Sequence, residues 1–209
     1  EGGEGAVAGN RNRVAEAAHY QQEVFYNYIS EGKSVSNAMF SCGTNLVMSV
    51  RALRDVGGFD QNTVTEDMAT SFNLHKLGYK SYYYHHVLVE GEGPMNMPGY
   101  FKQQMRWAYG TITIFKSVIK SLITAPNKLS ISQWEEYILA TTWYFVGWAY
   151  FLLMICPVAF LLFDIRPFLV TNISAYIFSY IPYFIFSFLQ FFLPMHVRGY
   201  SLREILLGS

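Results

Sequence analysis

The sequence has no excess of either charge: Lys and Arg number 15, Asp and Glu number 15, and the formal net charge is +0. That balance removes the basic footprint of a nucleic-acid binder, and no such partner is expected. Charge of either sign is also scarce, at 14% of residues, against roughly a quarter in an ordinary soluble domain. Cysteine is scarcer still. Cys42 falls in a polar part and Cys156 in an apolar segment, so no disulfide framework is expected and a reduced, cytosol-facing polar part is the default. A signal peptide is missing as well, because Glu1 to Asn10 is Gly-rich and acidic rather than basic and then apolar. With no initiator Met, the chain reads as an excerpt of a longer one.

What the sequence has instead is apolar and aromatic surface. Hydrophobic residues make up 52%, aromatics 18%, and the mean hydropathy is +0.16. The excess is uneven, since Tyr137 to Met195 carries only Asp164 and Arg166 as charges. Two stretches, 137–163 and 168–195, each exceed the ~20 apolar residues needed to cross a bilayer. The few residues between them, Asp164 to Pro167, allow only a hairpin. Lys116, Lys120 and Lys128 before the pair, with Arg198 and Arg203 after it, put both ends on the cytoplasmic side by the positive-inside rule. A multi-pass protein of the cell membrane with a cytosolic polar part is the expectation.

Along the polar part, residues 1–13 lack apolar periodicity and read as a loop; no strand or Lys-Ser/Thr context makes their glycines a phosphate loop. Val14 to Ile29 has helical spacing, with Glu31, Gly32, Lys33 and Ser34 as its end. Ala38 to Val50 reads as two strand-like pieces around a bend at Gly43. Ser49 caps a short helix that Gly57 and Gly58 stop. Thr65 is placed as the N-cap of a helix whose Met68, Phe72 and His75 share a face and whose stop is Gly78. Lys80 to Val89, rich in Tyr and Val, reads as a strand. Gly91 to Pro98 breaks regular structure. Tyr100 to Leu122 is an amphipathic helix with Phe101, Met105, Ala108, Ile112, Phe115 and Ile119 on its stripe and Lys102, Lys116 and Lys120 facing lipid headgroups. The domains follow as 1–97 for the cytosolic part, 98–133 for interface helices, 134–195 for the membrane helices and 196–209 for a closing cytosolic segment.

Two motifs can carry chemistry, and each has a plain alternative. Thr65, Glu66 and Asp67 suit a helix start for capping and dipole reasons alone, yet a carboxylate at a helix mouth can also take a proton from a hydroxyl nucleophile. Gln103, Arg106 and Trp107 suit a membrane-surface helix with a snorkelling Arg and an interfacial Trp. A guanidinium can equally grip a diphosphate, and an indole can stack on a sugar. Cys42 alone reads as a small buried residue. His75, His85 and His86 lack metal-site spacing, and no metal ligands are assigned. The Asn172 sequon falls inside an apolar span and is set aside.

Taken in order, FSCGTN at Phe40 to Asn45, GGFD at Gly57 to Asp60, VTED at Val64 to Asp67, LHKLGY at Leu74 to Tyr79 and QQMRWAYG at Gln103 to Gly110, followed by paired apolar spans, resemble the processive family 2 glycosyltransferases. The similarity is greatest to cellulose synthase catalytic subunits and covers roughly residues 20–200. The resemblance implies an α/β GT-A-like domain, of which this chain holds the C-terminal half, then an amphipathic interface helix and a transmembrane hairpin. It implies Asp67 as general base, with Glu66 and Thr65 beside it, and Gln103 and Arg106 against the donor diphosphate. Trp107, Phe40, Cys42 and Gly43 would bind the acceptor. The partners implied are a nucleotide sugar, UDP-glucose by the nearest similarity, a growing polysaccharide chain, the bilayer, and export or accessory subunits.

One departure is plain: no Asp-x-Asp triplet occurs in the chain. The family's Mg²⁺ or Mn²⁺ ligands are therefore expected outside this excerpt, which alone should bind donor poorly and not catalyse. Two other readings stand beside β-1,4-glucan synthesis from UDP-glucose. One is a synthase of another β-linked polymer, such as poly-N-acetylglucosamine, a chitin-like chain, mannan or mixed-linkage glucan. The other is a non-catalytic membrane scaffold of a polysaccharide export complex.

Overall fold

A computed structural model describes residues 13–86, 89, 91–165 and 172–197. The chain divides into two units, 1–146 and 147–209. In the first, α1 (Arg13–Val24) passes through a π-helical turn (Phe25–Ile29) into α2 (Ser30–Val35), followed by α3 (Val50–Asp55), α4 (Glu66–Lys76), α5 (Met97–Thr124) and α6 (Ile131–Thr142). Glu31 to Ser34 therefore do not end the first helix. Lys33 is buried there, and its interactions outweigh the helix-breaking tendency of Gly32, which amounts to ~1 kcal/mol. The chain turns only at Asn37, in the left-handed region at φ 51.

Neither expected strand appears among the described residues. Residues 80–86 join no ladder and bend at His86, whose amide donates to Tyr84 O at 2.9 Å; the amides of Ser81 and Tyr83 are taken by side chains. Ser81 N donates to Asn37 Oδ1 at 2.9 Å, and Tyr83 N donates to Ser34 Oγ at 2.9 Å. The stretch from Ala38 to Ser49 is likewise irregular, bent at Gly43 (φ 79) and Asn45 (φ 53). Ser49 does cap α3, accepting from Ala52 N at 3.4 Å, and Gly57 and Gly58 leave it with positive φ.

Two helix starts follow local chemistry that periodicity does not reveal. Pro98 opens α5 rather than breaking the chain, since a first-turn proline lacks only an amide that would have no helical partner; Asn96 Oδ1 caps that turn by accepting from Gly99 N at 2.8 Å. Ser130 and Gln133 form a reciprocal capping box that starts α6, and the Gln133 side-chain amide also donates to Asn37 O at 2.7 Å.

The core gathers Met68, Ala69 and Phe72 of α4, Ile114 and Val118 of α5, Leu129, and Trp134 and Tyr137 of α6. Phe72 meets Tyr137 edge-on at 4.9 Å between centroids, and Trp134 at 6.1 Å, the arrangement aromatic quadrupoles favour. The α5 face that packs here is Gly110, Thr111, Ile114 and Val118. The expected stripe is therefore rotated: Phe101 and Met105 lie exposed, at 57% and 73%. Small and β-branched residues make the packed face, which enters the core shared with α4 and α6.

His75 is 3% exposed and engages both ring nitrogens, with Tyr137 Oη at 2.7 Å and Ser81 Oγ at 2.9 Å. Burial lowers its pKa from 6.5 to about 4. A depressed folded-state value means its contribution to stability is fully present above pH 6.5. That contribution is lost as the pH falls through 4, by ~3 kcal/mol in all. Thermal unfolding followed from pH 7 to 4 should show this loss, and His75→Gln should flatten the slope in that window. A variant with the parent's slope would refute the assignment.

The helical run Ile131–Phe163, 33 residues, is long and apolar enough to cross a membrane. It begins earlier than the apolar stretch at Tyr137 suggests, and Tyr137 itself lies in the core at 1% exposure. Beyond the first residue of α7 (Val146–Phe163) the chain is in the second unit; α7 contains Pro157, and α8 (Ile173–Val197) is apolar over Ile173–Leu189. The expected turn at Arg166 and Pro167, and Arg198 and Arg203 beyond α8, lie outside the described residues.

Candidate active site

The site forms where the bend at Gly43 docks on the first turn of α4. Ser41 ties the two together: its amide donates to Ser71 Oγ at 2.9 Å, and its hydroxyl donates to Asp67 O at 3.1 Å. Ser71 Oγ also donates to Asp67 O at 2.8 Å, as residues four apart on one helix face can. These bonds bring Phe40, Cys42 and Gly43 beside Asp67. A methyl group on Gly43 would lie 3.2 Å from Asp67 Oδ2, and its φ of 79 further disfavours any side chain.

The Asp67 carboxylate is half-buried. Its Oδ1 accepts from Met68 N at 2.7 Å. Burial raises its pKa, the Met68 amide opposes this, and the neighbouring Glu66 adds to it. Burial, reinforced by Asp67, lifts the Cys42 thiol to about 12, while Tyr26 and Lys33 pull it back. Cys42 is therefore a neutral thiol at physiological pH and a poor nucleophile. The Tyr26 hydroxyl is also raised to about 12, by burial and then by Cys42, while the Cys42 thiol donates to Phe40 O at 3.9 Å.

Nothing in the sequence singles out Tyr26. It sits in the π-helical turn, a deviation frequent at functional sites, and its ring stacks on Tyr83 at 6.5 Å. The same turn sets Phe25 against Phe40 at 6.2 Å. The apolar periodicity of Val14 to Ile29 carries no signal of a π turn.

Thr65 occupies the N-cap position of α4, but its side chain makes no capping bond. Thr65 Oγ1 is buried with no hydrogen-bond partner among the described residues. The side chain instead faces Gly110 of α5, where an added Cβ would lie 2.5 Å from Thr65 Cγ2 and Oγ1. Packing of the Thr65 side chain onto the bare backbone of Gly110, rather than capping, explains these two residues. Gly110 is legible as a signal, since a glycine inside a helix costs ~1 kcal/mol against Ala and calls for a packing reason.

This contact also places the second motif. Trp107, half-buried, stands three residues before Gly110 and so on the same side of α5. Gln103 Oε1 is buried with no partner among the described residues. Arg106 is exposed. Gln104 Oε1 accepts from Tyr144 Oη at 3.3 Å. The structure thus places Gly43 and Cys42 against Asp67, with Phe40 next in the chain to the Ser41 that bonds α4, and sets Trp107 on the side of α5 that carries Gly110. It does not bring Gln103 or Arg106 into hydrogen-bond contact with Asp67, whose Oδ1 partner is the Met68 amide.

The chain matches the family model described as glycosyl transferase family group 2 over residues 3–207. It is 43% identical over 91 residues to a UDP-forming cellulose synthase catalytic subunit of Dictyostelium discoideum, covering 44% of this chain and 9% of that one. It is 30% identical over 141 residues to the UDP-forming cellulose synthase 1 catalytic subunit of Komagataeibacter xylinus, covering 68% of this chain and 18% of the relative. With the UDP-forming cellulose synthase catalytic subunit of Pseudomonas fluorescens it shares 30% over 146 residues, covering 70% and 19%. The chain spans at most 19% of the length of these relatives. By the extent of the family match, and with a carboxylate-bearing helix start built against a small-residue bend, the chain belongs to the family 2 glycosyltransferases and is cellulose synthase-like.

Proposed function

We propose that this chain is the acceptor side of a membrane-embedded, inverting and processive glycosyltransferase that elongates a β-linked polysaccharide from a nucleotide sugar, β-1,4-glucan from UDP-glucose. The observation that carries the reading is the docking of Phe40 to Gly43 on the first turn of α4, with Asp67 in the seam. In this reading the terminal hydroxyl of the polymer loses its proton to Asp67. Its oxygen attacks the anomeric carbon of the donor, and the bond to the diphosphate oxygen breaks. One glycosidic bond forms, the configuration inverts, and the nucleoside diphosphate leaves.

Burial of Asp67 suits that role, since a carboxylate with a raised pKa is a stronger base. Trp107 gives a flat apolar face for the acceptor ring, with Phe40 and Cys42 as neutral walls. Gln103 and Arg106 take the diphosphate, the exposed guanidinium being free of steric cover. The apolar helix α7 (Val146–Phe163) anchors the protein in the cell membrane, with the site on the cytosolic side. Export or accessory subunits receive the product.

A divalent cation such as Mg²⁺ or Mn²⁺ needs several oxygen ligands. Among the described residues no three His, Cys, Asp or Glu side chains come together. The residues present do not fit such a site, so its ligands are assigned to the remainder of the protein and no step here runs through it.

The test uses the full-length protein in membranes and a panel of radiolabelled nucleotide sugars. Incorporation from UDP-glucose into polymer that a β-1,4-glucanase digests is the expected result. Incorporation only from another donor would replace the glucan by that sugar's polymer. No incorporation from any donor, with the protein folded, would favour the scaffold.

A further inference from the structure

Lys33 is the buried charge that the proposed reaction leaves unused. Its side chain is 7% exposed and pairs with Glu136 of α6 at 2.6 Å. The same ammonium donates to Glu136 O at 3.3 Å and lies 5.6 Å from the centre of the Phe40 ring, within cation–π range. One cation thus holds three things together: the end of α2, the middle of α6, and the aromatic residue that opens the bend beside Asp67. The Phe40 ring also lies 6.2 Å from that of Phe25, and its neighbour Ser41 is bonded to α4.

A buried ion pair is a poor stabilising device, because the desolvation of both charges offsets their attraction. What it supplies is direction. An apolar pair of similar volume would fill the same space without fixing where the Phe40 ring lies. We propose that Lys33, held by Glu136, is a positioning residue that acts through Phe40 to set the acceptor wall beside Asp67. The role rests on the acceptor reading of Phe40 given above. It concerns the acceptor, since the ammonium of the pair reaches Phe40 and, among the described residues, forms no hydrogen bond with Gln103 or Arg106.

The experiment uses the full-length protein in membranes with an added short β-linked glucan oligosaccharide as acceptor. Lys33→Met with Glu136→Leu removes both charges together, which a folded protein tolerates far better than loss of one partner. The double variant should unfold at a temperature close to the parent's. Its KM for the oligosaccharide should rise about tenfold, the scale of losing a desolvated cation–π contact, while KM for the nucleotide sugar stays unchanged. Lys33→Arg, which keeps both the charge and a face for the ring, should restore the acceptor KM. In a Phe40→Leu background the double change should add little further, because the ring through which it acts is gone. Equal acceptor KM in parent and double variant, or a full additive effect without Phe40, overturns the role of Lys33. A parent protein that extends sugars but shows no dependence on the oligosaccharide overturns the acceptor reading itself, and the role with it. Should the double variant fail to accumulate, Lys33→Gln with Glu136→Gln, which removes both charges and keeps polar groups of similar size, takes its place in the same KM comparison.

Discussion

Asp67→Asn is expected to stop polymer formation in membranes containing the full-length protein, lowering turnover by about 10²–10⁴-fold, the usual contribution of a positioned general base. The substitution keeps the side-chain volume and one acceptor oxygen for the Met68 amide, which now bonds Oδ1 at 2.7 Å. The backbone carbonyl that receives Ser41 and Ser71 is untouched. Folding and donor binding should therefore survive, and donor affinity can be measured directly to separate the two effects. A variant that polymerises at the parent's rate would remove Asp67 as the base. The pH profile gives an independent check. A base works only when deprotonated, and burial raises the Asp67 pKa. The parent's rate should accordingly fall on the acid side at a pH above the range of an ordinary aspartate.

Gly110→Ala should have the second largest effect, and its sign opposes helix propensity. In a free helix Ala gains ~1 kcal/mol over Gly. Here the new methyl would sit 2.5 Å from two Thr65 atoms and 3.0 Å from its Cβ. Thr65 is β-branched and stiff, so it cannot swing aside without moving the backbone that carries Glu66 and Asp67. Overpacking of this kind costs ~1–3 kcal/mol, enough to cancel the propensity gain and leave a net loss. Activity should suffer more than stability, because a displacement near 1 Å at a reacting group can cost about 10²-fold. Thr65→Ala with Gly110→Ala removes the two nearest atoms and should recover part of both losses. A single Gly110→Ala variant with a raised melting temperature and full activity would show that α4 and α5 are not in close contact there.

Helix positions in the polar part are largely readable from local pattern. Met68, Phe72 and His75 share a buried face, as their spacing requires, and Gly57, Gly58 and Gly78 leave their helices with positive φ. The motifs FSCG, TED and QxxRW, in that order before an apolar run, are enough to identify the family, because their residue types are tied to one chemistry rather than to one local conformation. Strands are not readable in the same way. Tyr82 to Tyr84 have strand-forming side chains, but a strand exists only where a neighbouring ladder accepts its amides. Among the described residues, the amides of Ser81 and Tyr83 go instead to the Asn37 and Ser34 side chains.

By itself the sequence determined which segments coil and which residue types stand at the helix mouth, since capping, glycine freedom and apolar spacing act within a few residues. Tertiary structure alone decided what those residues do. Thr65 gave up capping to admit Gly110, the packed stripe of α5 turned into the core it shares with α4 and α6, and Lys33 was drawn into the interior by Glu136, 103 positions away. The reason is physical: close approach, burial and charge pairing depend on distance in space, and none of these partners lies near its counterpart along the chain.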